Sequence, residues 1–115
     1  MARAVWMGVA LALAGCLAPT IPLPPPEAPE AWLGSREGTV RLESDGGALP
    51  DAIVIVFNNN PAIPSNDRVA GAQADKTGSW SVEIRANPGD LLQISQDVDN
   101  TRSDTLNFVV PQTLR

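Results

Sequence analysis

The sequence contains no histidine and no tyrosine, and its one cysteine is Cys16. These absences exclude an intrachain disulfide, a zinc site built from cysteine and histidine, a Ser–His–Asp triad and a Cys–His catalytic pair. Positive charge is also scarce: 8 Lys and Arg face 13 Asp and Glu, for a net charge of −5, and the basic residues form no run. We therefore expect neither an enzyme nor a nucleic-acid-binding protein, and the sequence implies no cofactor.

A short apolar stretch lies close to the N-terminus. Arg3 gives a positive start, Ala4–Ala12 is apolar, and small residues follow. A permanent membrane helix needs about 20 apolar residues, so this stretch is too short to be one. The order of charge, apolar run and small residues is typical of a cleavable export signal, which we place at residues 1–15.

The end of this segment, Leu13-Ala14-Gly15-Cys16, resembles the lipobox of bacterial lipoproteins. The resemblance implies that Cys16 is diacylated on its thiol with palmitate-type chains, becomes the N-terminus after cleavage, and can also be N-acylated. The partner it implies is a membrane, reached through the lipid, and the location is the cell envelope. Leu17, and not Asp, follows the cysteine, which implies outer-membrane sorting if the organism is Gram-negative.

A proline-rich segment separates the signal from the rest of the chain. Six of the residues from Leu17 to Ala31 are proline. Because proline fixes φ and lacks an amide donor, we expect neither helix nor sheet ladder here, but a semi-rigid polyproline-II spacer. Fifteen such residues could reach about 45 Å. Residues 16–31 are therefore predicted to be a lipidated linker, with a motif for a proline-binding groove as the alternative.

Residues 32–115 show the alternation and the regular turns of a single all-β domain. Six strands are predicted: Thr39–Glu43, Ala52–Phe57, Val69–Asp75, Ser79–Arg85, Leu91–Gln96 and Thr105–Val110. The continuous apolar run of the second predicts a strand covered on both faces. In the fourth, Trp80 should point into the core, with Phe57 and Phe108 beside it. The expected fold is a small antiparallel β-sandwich of about six or seven strands.

Two turns carry the clearest local signals of this domain. Asp75-Lys76-Thr77-Gly78 predicts a type I hairpin turn, and Asn87-Pro88-Gly89-Asp90 places Pro and Gly where a type II turn needs them. Together with Gly38-Thr39-Val40 and Trp80-x-Val82, these features resemble the carboxypeptidase-regulatory-like and bacterial immunoglobulin-like domains. The resemblance implies a prealbumin-like or Ig-like sandwich that serves as an accessory or adhesive module without catalytic residues.

Two polar segments are candidate ligand sites. The stretch from Asp97 to Asp104 offers the carboxylates of Asp97, Asp99 and Asp104 to a calcium ion, although Arg102 within it would repel a cation. Asn58-Asn59-Asn60 and Asn66-Asp67 could hydrogen-bond a sugar. A solvated loop is the alternative interpretation of both.

These observations predict a non-enzymatic, membrane-anchored envelope lipoprotein that presents a β-sandwich for structural or protein-interaction roles. The partner is then an unidentified envelope protein or glycan. The alternatives are a calcium- or glycan-binding surface module, and an accessory domain that regulates a separate envelope enzyme.

Overall fold

The computed structural model describes residues 22–115, in which eight β-strands form two antiparallel sheets. The strands are β1 (Glu30–Leu33), β2 (Thr39–Ser44), β3 (Ile53–Asn58), β4 (Val69–Gln73), β5 (Trp80–Arg85), β6 (Leu91–Val98), β7 (Thr101–Arg102) and β8 (Leu106–Val109). A short 3-10 helix, Ser65–Asp67, lies between β3 and β4. The predicted signal segment and Cys16 lie outside the described residues.

The smaller sheet has the strand order β1-β2-β5, and the larger has β4-β3-β6, with β7 and β8 both paired to the far side of β6. All pairs are antiparallel, which confirms the predicted all-β antiparallel sandwich. First, second and fifth strands share one sheet, while third and sixth lie side by side in the other. Immunoglobulin-like sandwiches have the same partition.

The core lies between the two sheets and is built by the alternation of side chains along each strand. Val40 and Leu42 of β2 face inward from the smaller sheet, and Leu92 and Ile94 of β6 face inward from the larger one. Trp80 is only 5% exposed and belongs to this core, as predicted. The other fully enclosed members are Val54, Val56, Ala74, Ile84, Ala86 and Val110.

Both predicted turns are present. The amide of Gly78 donates to Asp75 O (3.0 Å), and Gly78 has φ of 84°. A side chain at Gly78 would also collide with the carbonyl oxygen of Ala48, so the turn needs glycine for two reasons. In the second turn the amide of Asp90 donates to Asn87 O (3.0 Å), and Gly89 has φ of 87°.

The expectation that β3 is covered on both faces is wrong. Val54 and Val56 are buried, but Ile53 is 51% exposed, and Ile55 and Phe57 are only partly buried. A two-layer antiparallel sandwich covers one face of each sheet and leaves the other to solvent. Phe57 therefore lies on the outer face of the larger sheet and not beside Trp80, whereas Phe108 packs against the core.

Two strands were not expected from the sequence. Strand β1 includes Glu30 and Ala31, which the sequence assigns to the linker, and Pro29 directly precedes it. An edge strand tolerates proline before its first residue because no ladder bond is lost. Strand β7 has only two residues and is formed by a tight turn in which Asp99 and Asn100 both have positive φ (51° and 63°).

Truncation of a central core residue tests the packing. Leu92 is fully buried, so we expect Leu92→Ala to lower the free energy of unfolding by about 2–5 kcal/mol, through lost burial and the cavity left behind. Val109→Ala is the control, because Val109 is 59% exposed and its truncation should cost far less. Urea denaturation of the two variants measures the difference, and equal losses would contradict this description of the core.

Candidate functional site

The hydrogen-bonded polar side chains and the two surface grooves lie at the two ends of the sandwich. One end carries the N-terminal segment and the β2–β3 and β4–β5 connections, and we call it the strap end. The other carries the β3–β4 loop and the β5–β6 turn, and we call it the distal end. The chain therefore enters the domain at the end opposite to its longest loop, Asn59–Arg68.

At the strap end, residues 22–29 are fastened to the domain, and we call them the strap. The side-chain amide of Gln96 donates to Pro24 O (2.8 Å), and the amide of Glu27 donates to Gly47 O (2.9 Å). Pro26 and Pro29 are buried. The second half of the predicted spacer is therefore part of the folded domain.

Gln96 is the residue that connects these parts. It is 2% exposed, its side-chain oxygen accepts from the backbone amide of Leu49 (2.8 Å), and its backbone N–H donates to Ser103 Oγ (2.9 Å). Leaving the buried side-chain amide without its partners would lower the free energy of unfolding by about 1–3 kcal/mol. The side chain of Gln96 thus joins the strap to the β2–β3 loop, and its backbone holds Ser103.

An open groove of about 880 Å³ lies beside the strap. Its lining is acidic, with Glu27, Glu43, Asp45 and Asp75 on its walls, and Trp80 contributes to it as well. The indole N–H of Trp80 has no hydrogen-bond partner within residues 22–115. Negative charge therefore collects at the end of the sandwich where the chain enters.

Asp75 organises the β4–β5 turn at this end. Its Oδ1 accepts from the hydroxyl of Thr77 (2.6 Å) and from the amides of Thr77 (2.8 Å) and Ser79 (3.0 Å). These bonds, that of the Thr77 hydroxyl first, lower the pKa of Asp75 below its ordinary value because they stabilise the charged carboxylate. The carboxylate is thus engaged with its own turn.

The distal end is built on a buried asparagine. Asn58 is fully buried, and its side-chain amide donates to Arg85 O (2.9 Å) and to Asp90 Oδ2 (3.0 Å). Asn60 donates from its side chain to Asp90 Oδ1 (2.9 Å), while its backbone amide donates to Asn58 Oδ1 (2.9 Å). Asp90 therefore fixes both asparagines with its two oxygens.

The loop that follows is held by Arg68. Its guanidinium donates from Nε to Ile63 O (2.6 Å) and from Nη2 to Pro61 O (3.0 Å). Ile63 is buried beneath the loop. Arg68 thus binds two carbonyls of the loop Asn59–Arg68, and the buried side chain of Ile63 holds the loop against the sandwich.

A second groove, of about 410 Å³, opens beside this loop between β4 and β5. Arg36, Asp67, Glu83 and Arg85 line it, and Arg85 Nη1 pairs with Asp67 Oδ2 (3.0 Å). The amide and hydroxyl of Ser35 both donate to Glu83 (2.9 Å each), which lowers the pKa of Glu83. Both signs of charge are present here, and Arg85 and Asp67 form an ion pair among them.

The structure places the predicted sugar-binding residues in this network. The side chains of Asn58 and Asn60 hydrogen-bond to Asp90 and to nearby backbone groups, so both residues have a structural role. Asn59 and Asn66 are exposed. Loop folding therefore accounts for Asn58 and Asn60, whereas Asn59 and Asn66 present their side chains at the surface.

The predicted calcium residues lie along the β6–β7 hairpin and just beyond it. Asp97 stands opposite Arg102, with Oδ2 and Nη2 3.7 Å apart, while Asp99 is at the exposed turn and Asp104 follows β7. Within residues 22–115 the structure contains no group of three or more acidic, cysteine or histidine side chains that could hold a metal ion. No preformed calcium site is present in this part of the chain.

Three residues with central roles were not singled out from the sequence: Asp90, Gln96 and Arg68. Asp90 stands in a predicted turn, and its position after Pro-Gly was the one signal that it caps neighbouring groups. No local pattern marks Gln96 or Arg68, because their partners are distant in the sequence or are backbone atoms.

Comparison with known proteins adds no assignment: no protein-family model and no curated protein matches this chain. In the part of the chain that the structure describes, no helix is long and apolar enough to span a membrane.

The Asp75 turn yields a test by titration. We expect Thr77→Val to raise the pKa of Asp75 toward the ordinary value of an aspartate, because the hydrogen bond that lowers it most is lost. Carboxyl-carbon NMR measures this, and Thr113→Val, at an exposed position outside the strands, is the control.

The same lowered pKa predicts the sign of the pH dependence. Asp75 stabilises the fold at pH values above its ordinary pKa, and this contribution is lost as the pH falls through its lowered folded-state pKa. The wild-type protein should therefore lose more stability on acidification than Thr77→Val. An identical acid response in the two proteins would show that the bond does not act on Asp75.

Proposed function

We propose that this chain is a non-enzymatic lipoprotein of the bacterial cell envelope, anchored through acyl chains on Cys16, which presents its sandwich to other envelope proteins. In a Gram-negative organism, the absence of Asp after Cys16 points to the outer membrane. The observation that carries the proposal is the attachment of the strap: it fixes which end of the sandwich leads to Cys16.

The strap supports a short tether. Because Pro24 is already hydrogen-bonded to Gln96, at most residues 17–23 separate the acylated cysteine from the domain. The eight Cα-to-Cα steps from Cys16 to Pro24 span at most about 29 Å even when fully extended. The strap end therefore faces the membrane at close range, and the distal end faces away from it.

The distribution of charge supports the same orientation. Glu27, Asp45, Asp75 and Asp99 are all at the strap end, and Lys76 and Arg102 at the same end offset this negative charge only in part. Anionic lipid headgroups repel such a surface, within a screening length of about 8–10 Å. The domain would then stand off the membrane on its tether and leave the distal loop accessible.

The fixed distal loop supports a role in protein recognition. Loops that are held rigid by their scaffold lose little conformational entropy on binding, so they are suitable contact surfaces. The side chains of Asn60 and Arg68 are already engaged with the protein itself, while Asn59 and Asn66 are exposed and available to a protein surface. The open strand edges of the sandwich offer a second kind of contact.

The anchor is tested by fatty-acid labelling in cells. The wild-type protein should incorporate an alkyne-tagged palmitate analogue and sediment with the membranes. Cys16→Ser should incorporate none, because the thiol that accepts the acyl chain is gone, and Ser35→Ala is the matched control that retains labelling. A labelled Cys16→Ser protein would contradict the proposed anchor.

The orientation is tested with fluorophores on the acylated protein in phosphatidylglycerol vesicles. A fluorophore at Asn100→Cys, on the exposed β6–β7 turn of the strap end, should be quenched by a headgroup-attached quencher. One at Asn66→Cys, on the distal loop, should be quenched much less, since it lies at the opposite end of the sandwich. Equal quenching at both positions would overturn the orientation.

A further inference from the structure

The larger sheet ends at β8, and the outer side of β8 has no backbone partner among residues 22–115. The amide of Val110 donates to Asp90 O (2.9 Å), which sets the direction of the neighbouring backbone groups. Along the strand, Leu106 and Phe108 turn their N–H and C=O groups toward β6, while Asn107 and Val109 turn theirs away from the sheet. These groups are available to another strand.

Apart from its shortness, this edge lacks the features with which proteins protect free edges. Thr105–Val109 contains no charge, no proline and no lysine, and its pairing with β6 is regular. Asn107 and Val109 are exposed, and Leu106 and Phe108 are only partly buried. An added strand would cover apolar surface as well as satisfy backbone groups.

The other edges are less available. On β1 the outward amide of Leu33 already donates to Arg115 O (2.9 Å). Strand β4 packs beside β5, and pairing two β4 strands about Gly71 would place Asp67 opposite Asp75 of the second copy. Like charges opposite each other destabilise a strand pair.

We propose that β8 pairs antiparallel with β8 of a second copy of this chain, about a two-fold axis at Asn107. In this register the two Asn107 residues exchange backbone hydrogen bonds, and Thr105 does the same with Val109 of the second copy. Leu106 lies opposite Phe108 of the second copy at the closer, non-hydrogen-bonded position, where side chains contact each other. The strand is therefore complementary to itself, as a two-fold interface requires.

The flanking residues agree with this register. Asp104 falls opposite Val110 of the second copy, so no like charges meet across the axis. The five-stranded sheets of the two copies would join into one continuous sheet. The outer face of the larger sheet, with Ile53 and Phe57, would then run across both copies.

The pairing of two β8 strands is weak in dilute solution and depends on both copies being held on the same membrane. A four-residue strand buries far less than the roughly 1,200 Å² of a standard stable interface. A membrane anchor raises the effective concentration of one copy around another. The inference thus deepens the proposed function by naming a partner, and it rests on the anchor for the concentration at which the pair forms.

Disulfide trapping tests the pair on the mature acylated protein in phosphatidylglycerol vesicles. At a hydrogen-bonded antiparallel position the Cα atoms are about 5.5 Å apart, which suits a disulfide. Mild oxidation should therefore convert Asn107→Cys into a covalent dimer. Gly71→Cys, at the centre of the other edge of the same sheet, is the matched control and should stay monomeric. Equal dimer yields from the two variants would overturn the proposal.

The register is tested with a mixture of two variants. Differently tagged Thr105→Cys and Val109→Cys proteins should form a mixed dimer in higher yield than either forms with itself. Introducing Asn107→Lys into both should lower that yield about fivefold, since it sets like charges on the axis, whereas Gln73→Lys should not. A higher yield from either variant alone would refute the antiparallel register.

Oxidation of the wild-type protein distinguishes a failure of β8 pairing from a failure of the lipid anchor. Its Cys16 thiol is blocked if it is acylated, so oxidation should give no wild-type dimer. A wild-type dimer would show a free Cys16 and would argue against the lipid anchor. In that case Asn107→Cys and Gly71→Cys would each be combined with Cys16→Ser. The dimer yields of these two double variants would then test the pairing of β8.

Discussion

Strand β6 holds the larger sheet together because it is hydrogen-bonded to β3 along one side and to β7 and β8 along the other. Its inward side chains, Leu92 and Ile94, are completely buried against the smaller sheet. The residue before it, Asp90, fixes the distal end, and Gln96 near its end fixes the strap. Core packing, the distal loop and the entry of the chain all depend on the placement of this one strand.

The polar residues at both ends are used by the fold itself. A buried polar group without a hydrogen-bond partner lowers the stability of the fold, so the buried side chains of Asn58 and Gln96 need partners. That requirement explains why Asn58 and Asn60, which resemble part of a ligand site in the sequence, hydrogen-bond to Asp90 and to backbone groups of the protein. A small domain without disulfides depends on such networks to keep its loops in one conformation.

Local chemistry was enough to predict the strands and turns with strong signals. Alternation identified β5 and its core residue Trp80, and glycine after Asp-Lys-Thr identified the β4–β5 turn. The sequence could not tell that the apolar run of β3 has one open face, because a continuous run reports hydrophobicity and not the number of layers. It also could not predict the hydrogen bond between Gln96 and Pro24, since these residues are 72 positions apart in the sequence. Whether Cys16 is acylated remains a prediction.

The proline-rich segment illustrates the same limit. Its composition predicts a stiff chain, but composition does not say where a stiff chain packs. Proline has a largely apolar ring, and Pro26 and Pro29 bury theirs against the sandwich while neighbouring backbone groups are satisfied by Gln96 and Gly47. A segment that looks like a spacer is therefore partly a structural element of the domain.

The position of β8 in the chain has a consequence for the order of folding. Strand β6 can pair with β3 as soon as both are available, but its other side stays open until residues 106–109 arrive. Val110, which closes the core beside it, comes later still. Much of the fold depends on contacts between distant residues, and such topologies fold slowly. If the chain is exported unfolded, as the proposed function implies, the sandwich cannot close before its last strand has crossed the membrane.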